Sequence, residues 1–507
     1  MDGLTCFAHA SSLAALHGPG PWPGGGDPLP DAPPRDPGRL TMSAAVLDGI
    51  HTQHGGSVGS EIAAQELADL VRAVVRGTPT PASLAGLHAA SAQTRSVAVA
   101  EGLADALADL PADRVRRVGR WLAQHGTRRD SVAIGLVLLG LTGDARDREL
   151  LLLLGALESL TLYAAEALSR TQPDPERAVF ELARRVEGWG RIHAVERLRE
   201  CTDPEVKAWL LRGGYRNAVM DEYLAHLAAT TGDLAGALDA ETVDEALLLG
   251  AGGILRALCE GGPAADMRHY PDGPVAVASY LCHADRQPAD LRLVAAVGVL
   301  RRFASSAKAV SCWTAAERAR LQAMAEQLCD RPDWRQLVQD ALDDEDLEVV
   351  KRGLWQAALV GVPFTDQVTR QLRRAPYDFD LWYALVDYTE DIDPALRLAD
   401  ELLPLAELVT GPTLAVGSCG QGPEGILDLV VSRLDAHPGK GWPLIAVALS
   451  NRTIRNREMA LLALKAWPAA LITAEMRHAL LAAAGREPDR GMRGRMRIMQ
   501  DRWLSAR

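Results

Sequence analysis

The sequence predicts an all-α chain, an α-solenoid in which antiparallel helix pairs stack in a row. Three observations carry this. Apolar residues recur at helical spacing along most of the 507 residues, and no convincing alternating strand pattern occurs. Asp174-Pro175 and Asp203-Pro204 each place a capping acid before a proline at the first helical position. The helical runs are short and their connections brief, the pattern of helix-pair repeats of about 40 to 47 residues. Each pair leaves an apolar face uncovered until the next pair stacks on it.

From the N-terminus, residues 1–40 stand apart. Proline and glycine dominate 18–39, a composition that neither sustains a helix nor buries enough surface, so disorder is expected there. Met42, followed by ordinary helical sequence, is an alternative start. Asp2 stands where a signal peptide carries positive charge, so none is read. Residues 41–507 form the solenoid, with about ten pairs from residue 58 onward. Val115, Val118 and Leu122 share one helix face, as do Val179, Leu182 and Val186. Leu347, Val350, Leu354 and Ala358 repeat the spacing, and Ala460, Leu464 and Trp467 form a last stripe. Gly/Pro-rich breaks at 261–274 and 411–425 are candidate subdivisions, and two compact helical bundles are the alternative architecture.

Composition excludes several classes. Hydrophobic residues make up 48% and charged residues 24%, ordinary for a globular protein and unlike a disordered or collagenous one. The net charge of −12 argues against a protein that mainly coats nucleic acid or anionic membrane. The longest apolar stretch, 131–143, is flanked by Asp130 and Asp144 and is shorter than the roughly 20 residues of a membrane span. No membrane partner is expected, and the cytoplasm is the default. Seven scattered cysteines, never spaced C-x-x-C, match neither a disulfide framework nor a thiolate metal site.

Motifs for chemistry are weak. Gly420-Gln421-Gly422-Pro423-Glu424-Gly425 matches G-x-G-x-x-G before a helix, but Pro423 deletes a donor and no βαβ pattern surrounds it. It reads as a connection between helices. Cys419 lacks the surroundings of a haem-thiolate ligand. His51 and His54, the only close histidine pair, have no acid between them for a 2-His-1-carboxylate centre. No P-loop occurs. Accordingly no catalytic residue, metal ligand or cofactor is expected.

Two surfaces are candidates for recognition. Residues 187–223 concentrate Trp189, Arg191, His193, Glu196, Trp209, Tyr215, Arg216, Asn217, Asp221 and Tyr223 in a chain with 5% aromatics. Aromatic and arginine anchors are typical of binding hot spots. His193, Glu196 and Arg197 are helix neighbours able to form a polar network, whereas the two tryptophans also suit packing between helix pairs. Arg455, Asn456 and Arg457 form a second candidate patch or a link to a neighbouring repeat. Residues 451–507 are a basic cap, with 12 Arg and Lys against five acids. Within it Arg490, Arg493, Arg495 and Arg497 are possible contacts to phosphate or an acidic surface.

The segments NREMALLALKAW and DLEVVKRGLWQAALVG resemble single HEAT-type units, with a cation near the start and an Ala/Leu core stripe. Three further stretches are similar to a group of bacterial proteins, some labelled limonene hydroxylase: residues 186–234, PGKGWPLIAVALS and NRTIRNREMALLALKAW. They cover about a fifth of the chain. The HEAT resemblance implies a non-catalytic scaffold binding a protein or peptide partner along a concave face. Nucleic-acid binding through the basic end is the alternative reading. The labelled group implies a monooxygenase, which needs haem, flavin or non-haem iron to activate oxygen.

Overall fold

A computed structural model of the chain describes residues 3–33, 42–55, 61–389, 391–415 and 422–505. Among them are thirty α-helices and no strand, only an isolated parallel bridge between Ala415 and Thr453. The predicted stripes face inward: Val115, Val118 and Leu122 are buried in the Ala112–His125 helix, and Val350 and Leu354 in Leu347–Val360. Caps form where the acids predict them. Asp174 accepts the Arg177 N–H at 3.2 Å, and Asp203 accepts the Glu205 N–H at 2.7 Å. Trp467 is buried just beyond its helix and donates its indole N–H to the Leu434 carbonyl at 2.7 Å.

The chain divides into two compact units, Met1–Gln287 with Val299–Ala325, and Pro288–Gly298 with Glu326–Arg507. Neither expected break coincides with this division: 261–274 lies inside the first unit and 411–425 inside the second. A glycine-rich connection between two helices does not by itself interrupt a core when the helices on both sides still pack together.

In the first unit, many helices pack on helices one or two places away in the chain. Arg129–Thr142, for example, contacts Ala112–His125 and Glu158–Thr171. Glycine permits the closest approach. A Cβ at Gly119 would stand 3.0 Å from the Gly135 carbonyl oxygen, and one at Gly135 would stand 2.8 Å from the Ala123 nitrogen. The apolar stretch 131–143 is explained by this burial, since the Arg129–Thr142 helix is enclosed on most sides. No helix among the described residues is long and apolar enough to cross a membrane.

The expectation of disorder over 1–40 is corrected for residues 3–33. Cys6–His17 is a helix capped by Thr5 that packs against Ala112–His125 and Arg148–Gly155. Trp22 and Leu29 are buried, and the Asp31 carboxylate accepts the Arg129 N–H at 2.9 Å at the start of the Arg129–Thr142 helix. Composition misleads here because order comes from burial against the rest of the unit. Gly25 and Gly26, both at positive φ, let the backbone lie close to Glu158 and Leu157. Residues 34–40 lie outside the described residues.

The second unit repeats the neighbour pattern, with Pro332–Leu342 on Leu347–Val360, Trp442–Leu449 on Ile454–Ala466, and Ala474–Arg486 on Arg490–Ser505. Its deepest polar feature is Arg457, fully buried with Glu487. Both carboxylate oxygens accept from the guanidinium, at 2.7 and 2.9 Å. The same group also donates to the carbonyls of Asn451, Arg452 and Thr413 at 2.8 to 2.9 Å. One side chain thus ties three loops together.

Candidate functional site

The Gly188–Glu196 helix starts where Gly188, at φ 57, lets the chain turn against Glu158. A Cβ there would stand 2.2 Å from the Glu158 carboxylate, which accepts the Trp189 N–H at 2.8 Å. Burial pushes the Glu158 carboxyl up, despite that hydrogen bond. Trp189 is held against the Ala44–His54 helix, where a Cβ at Gly49 would overlap its ring. Tyr223 lies 5.1 Å from Trp189 between ring centroids, and its hydroxyl is 2.8 Å from His54 Nε2.

The polar network expected at His193 does not form. His193 Nδ1 is 4.0 Å from the Glu196 carboxylate, and neither ring nitrogen has a hydrogen-bond partner. Burial, with the Arg197 charge added, pulls the imidazole down to about 3, so the ring is neutral at ordinary pH. Glu196 accepts instead from Gln53 Nε2 at 2.7 Å, and Arg197 pairs with Glu166 at 3.0 Å.

Several other predicted residues make contacts within the chain. Tyr215 is wholly buried, and Trp189 and His193 nearly so. Arg191 donates to the Val186 carbonyl at 2.8 Å and lies over the Trp209 ring at 5.4 Å. Asn217 organises its own loop, accepting the Val219 and Met220 N–H groups at 3.0 and 2.8 Å. Arg216 remains exposed, and Glu196 and Tyr223 are half-buried. In the second unit Arg457 and Asn456 are buried and unable to reach a partner, because Asn456 is spent on Glu424, Asn451 and Thr453. Arg455 is half-exposed and pairs with Asp428 at 2.6 Å. Arg493 donates to the Glu487 carbonyl at 2.8 Å, and Arg495 stands 3.3 Å from Glu458. Arg490 and Arg497 are exposed.

What the sequence reading missed is a groove beside this region, of about 400 Å³. Val97, Ala100, Val137, Leu141 and Leu162 give it an apolar floor of half-buried side chains. They come from the Ser96–Ala106, Arg129–Thr142 and Glu158–Thr171 helices. Thr52, Glu101, Glu166, Arg170 and Arg197 are its polar lining residues besides Tyr163. Gly140 brings two of those helices together, since a Cβ there would meet the Ala167 backbone at 3.3 Å. The only signal in the sequence is the i, i+4 pair Glu166–Arg170, which forms at 2.6 Å.

The groove's charges are tied to one another. Burial raises the Glu166 carboxyl, but Arg197 and Arg170 more than offset it and hold the group below the usual range. Tyr163, which lines the groove, donates to Asp48 at 2.9 Å, and Arg129 pairs with the same carboxylate while donating to the Ser159 carbonyl at 2.8 Å. Burial pushes the Tyr163 phenol well above its ordinary value. The lining therefore fixes shape and charge.

Among the described residues, no group of three or more His, Cys, Asp and Glu side chains is placed to hold a metal ion. Cys419, Gly420 and Gln421 lie outside the described residues, Gly422 opens the Gly422–Val431 helix, and no strand occurs among the described residues. Compared with family models, with curated proteins and with solved structures, the chain matches none.

Proposed function

We propose that the protein is a non-catalytic interaction scaffold built of HEAT-like helix pairs, and that the groove of the first unit recognises a protein or peptide partner. The observation that carries this reading is the open apolar floor, beside which Glu166, Arg170 and Arg197 already pair with one another. Such a floor gains free energy by covering Leu141, Leu162 and Val137, about 25 cal/mol per Å² of apolar surface. Contacts between helices close in sequence, such as Arg129–Thr142 with Ala112–His125 and Glu158–Thr171, support the solenoid arrangement.

The test is affinity capture from lysate with the wild-type chain and with Leu141→Glu and Leu162→Glu. The eluate is read by mass spectrometry, absorbance spectrum and metal content together. One stoichiometric protein, lost from both variants, is the expected result. A Soret or flavin band, or stoichiometric iron, would overturn the scaffold reading in favour of a monooxygenase. A nucleic-acid reading rests on Arg490 and Arg497, which make no ion pair or hydrogen bond among the described residues. Binding to duplex DNA that falls steeply with salt, and is lost in Arg490→Ala/Arg497→Ala, would move the assignment there.

A further inference from the structure

The second unit carries another groove, of about 300 Å³, between the Ile454–Ala466 and Arg490–Ser505 helices. Leu461 and Met499 are buried in its floor, while Leu462 and Ile498 stand 47% and 69% exposed. Together they give the groove an apolar face rimmed by charged side chains, the pattern of an interaction surface. Around them stand Lys465, Arg495 and Arg502 against a single carboxylate, Glu458, which Arg495 already faces at 3.3 Å. Lys465 and Arg502 are exposed and make no ion pair or hydrogen bond among the described residues.

The two walls share one spacing. Glu458, Leu461, Leu462 and Lys465 stand at i, i+3, i+4 and i+7, and Arg495, Ile498, Met499 and Arg502 repeat it. Each wall is two turns long, about 10 Å. A groove between two helices that presents apolar side chains at this spacing accepts a third helix through its own i, i+3 (or i+4) and i+7 anchors. The uncompensated cations then select a guest with acidic flanks.

We infer that this groove docks an acidic amphipathic helix of a partner protein. A phosphate backbone would leave Leu462 and Ile498 uncovered, and two of the arginines predicted for it, Arg493 and Arg495, are engaged within the chain. The inference rests on the interaction-scaffold reading but uses a different unit, so each can fail alone.

The experiment uses the full chain and a labelled helical peptide of about 18 residues, with leucines at i, i+3, i+4 and i+7 and glutamates flanking them. Saturable binding by fluorescence anisotropy is expected. Ile498→Glu should weaken it about tenfold or more, the loss of one buried aliphatic anchor plus a like charge. Lys465→Glu/Arg502→Glu should weaken the acidic peptide and strengthen its lysine-flanked counterpart. These side chains are exposed, so unchanged circular dichroism and melting temperature check that the variants fold. No binding to wild type, equal binding of a peptide with its leucines scrambled around the helix, or indifference to Ile498→Glu would overturn the inference. So would self-association lost in Ile498→Glu, which makes a second copy the occupant. Preferential binding to duplex DNA or phosphatidylserine vesicles, abolished by the same variants, would overturn it as well.

Discussion

At the scale of single residues, the most informative side chains are those the fold took inside. His193 has two ring nitrogens with no partner, and burial holds it neutral down to about pH 3. An unfolded histidine titrates near its ordinary value of 6.5, so the unfolded chain takes up a proton that the native chain refuses. Stability tied to this residue is therefore intact above pH 6.5 and falls as the pH drops toward 3, by at most about 1.4 kcal/mol per pH unit. His193→Leu should match or exceed wild-type stability at pH 8, and gain on it steadily below pH 6.5, in urea unfolding followed by circular dichroism. Arg457 is the opposite case, a buried charge with every donor direction engaged. Arg457→Met leaves Glu487 unpaired and should cost about 3 to 5 kcal/mol in the same assay. The burial of His193 was not legible in the sequence, and for Arg457 a link to a neighbouring repeat was one of two readings. His193 and Arg457 sit among charges at helical spacing, and only packing decides whether such a residue faces water or the neighbouring helix.

The helices themselves were largely legible. The stripes at Val115–Val118–Leu122 and Val350–Leu354 and the Asp-Pro starts depend on interactions within a few residues, and they form where they were expected. The N-terminal segment was not, because its order is tertiary: Cys6–His17 has no strong amphipathic stripe, and residues 18–33 have no regular helix to predict. Trp22→Ala gives a direct check. Removing a buried indole should destabilise the first unit by about 3 kcal/mol, whereas a disordered tail would leave its stability unchanged. The groove escaped for a related reason. Its floor comes from three helices separated in sequence, and Leu141 and Leu162 read individually as ordinary core leucines.

For the whole molecule, the division into two units predicts how the chain unfolds. Calorimetry should resolve two transitions, with Trp22→Ala lowering one and Arg457→Met the other. A single transition lowered alike by both substitutions would contradict independent units. The central claim, that the first unit is a recognition scaffold, is tested most directly by hydrogen–deuterium exchange of the full chain with and without the protein it captures. The account predicts slowed exchange in residues 96–106, 129–142 and 158–171, the helices that build the groove floor, and loss of that footprint in Leu162→Glu. A bound partner that leaves those three helices unprotected would contradict it.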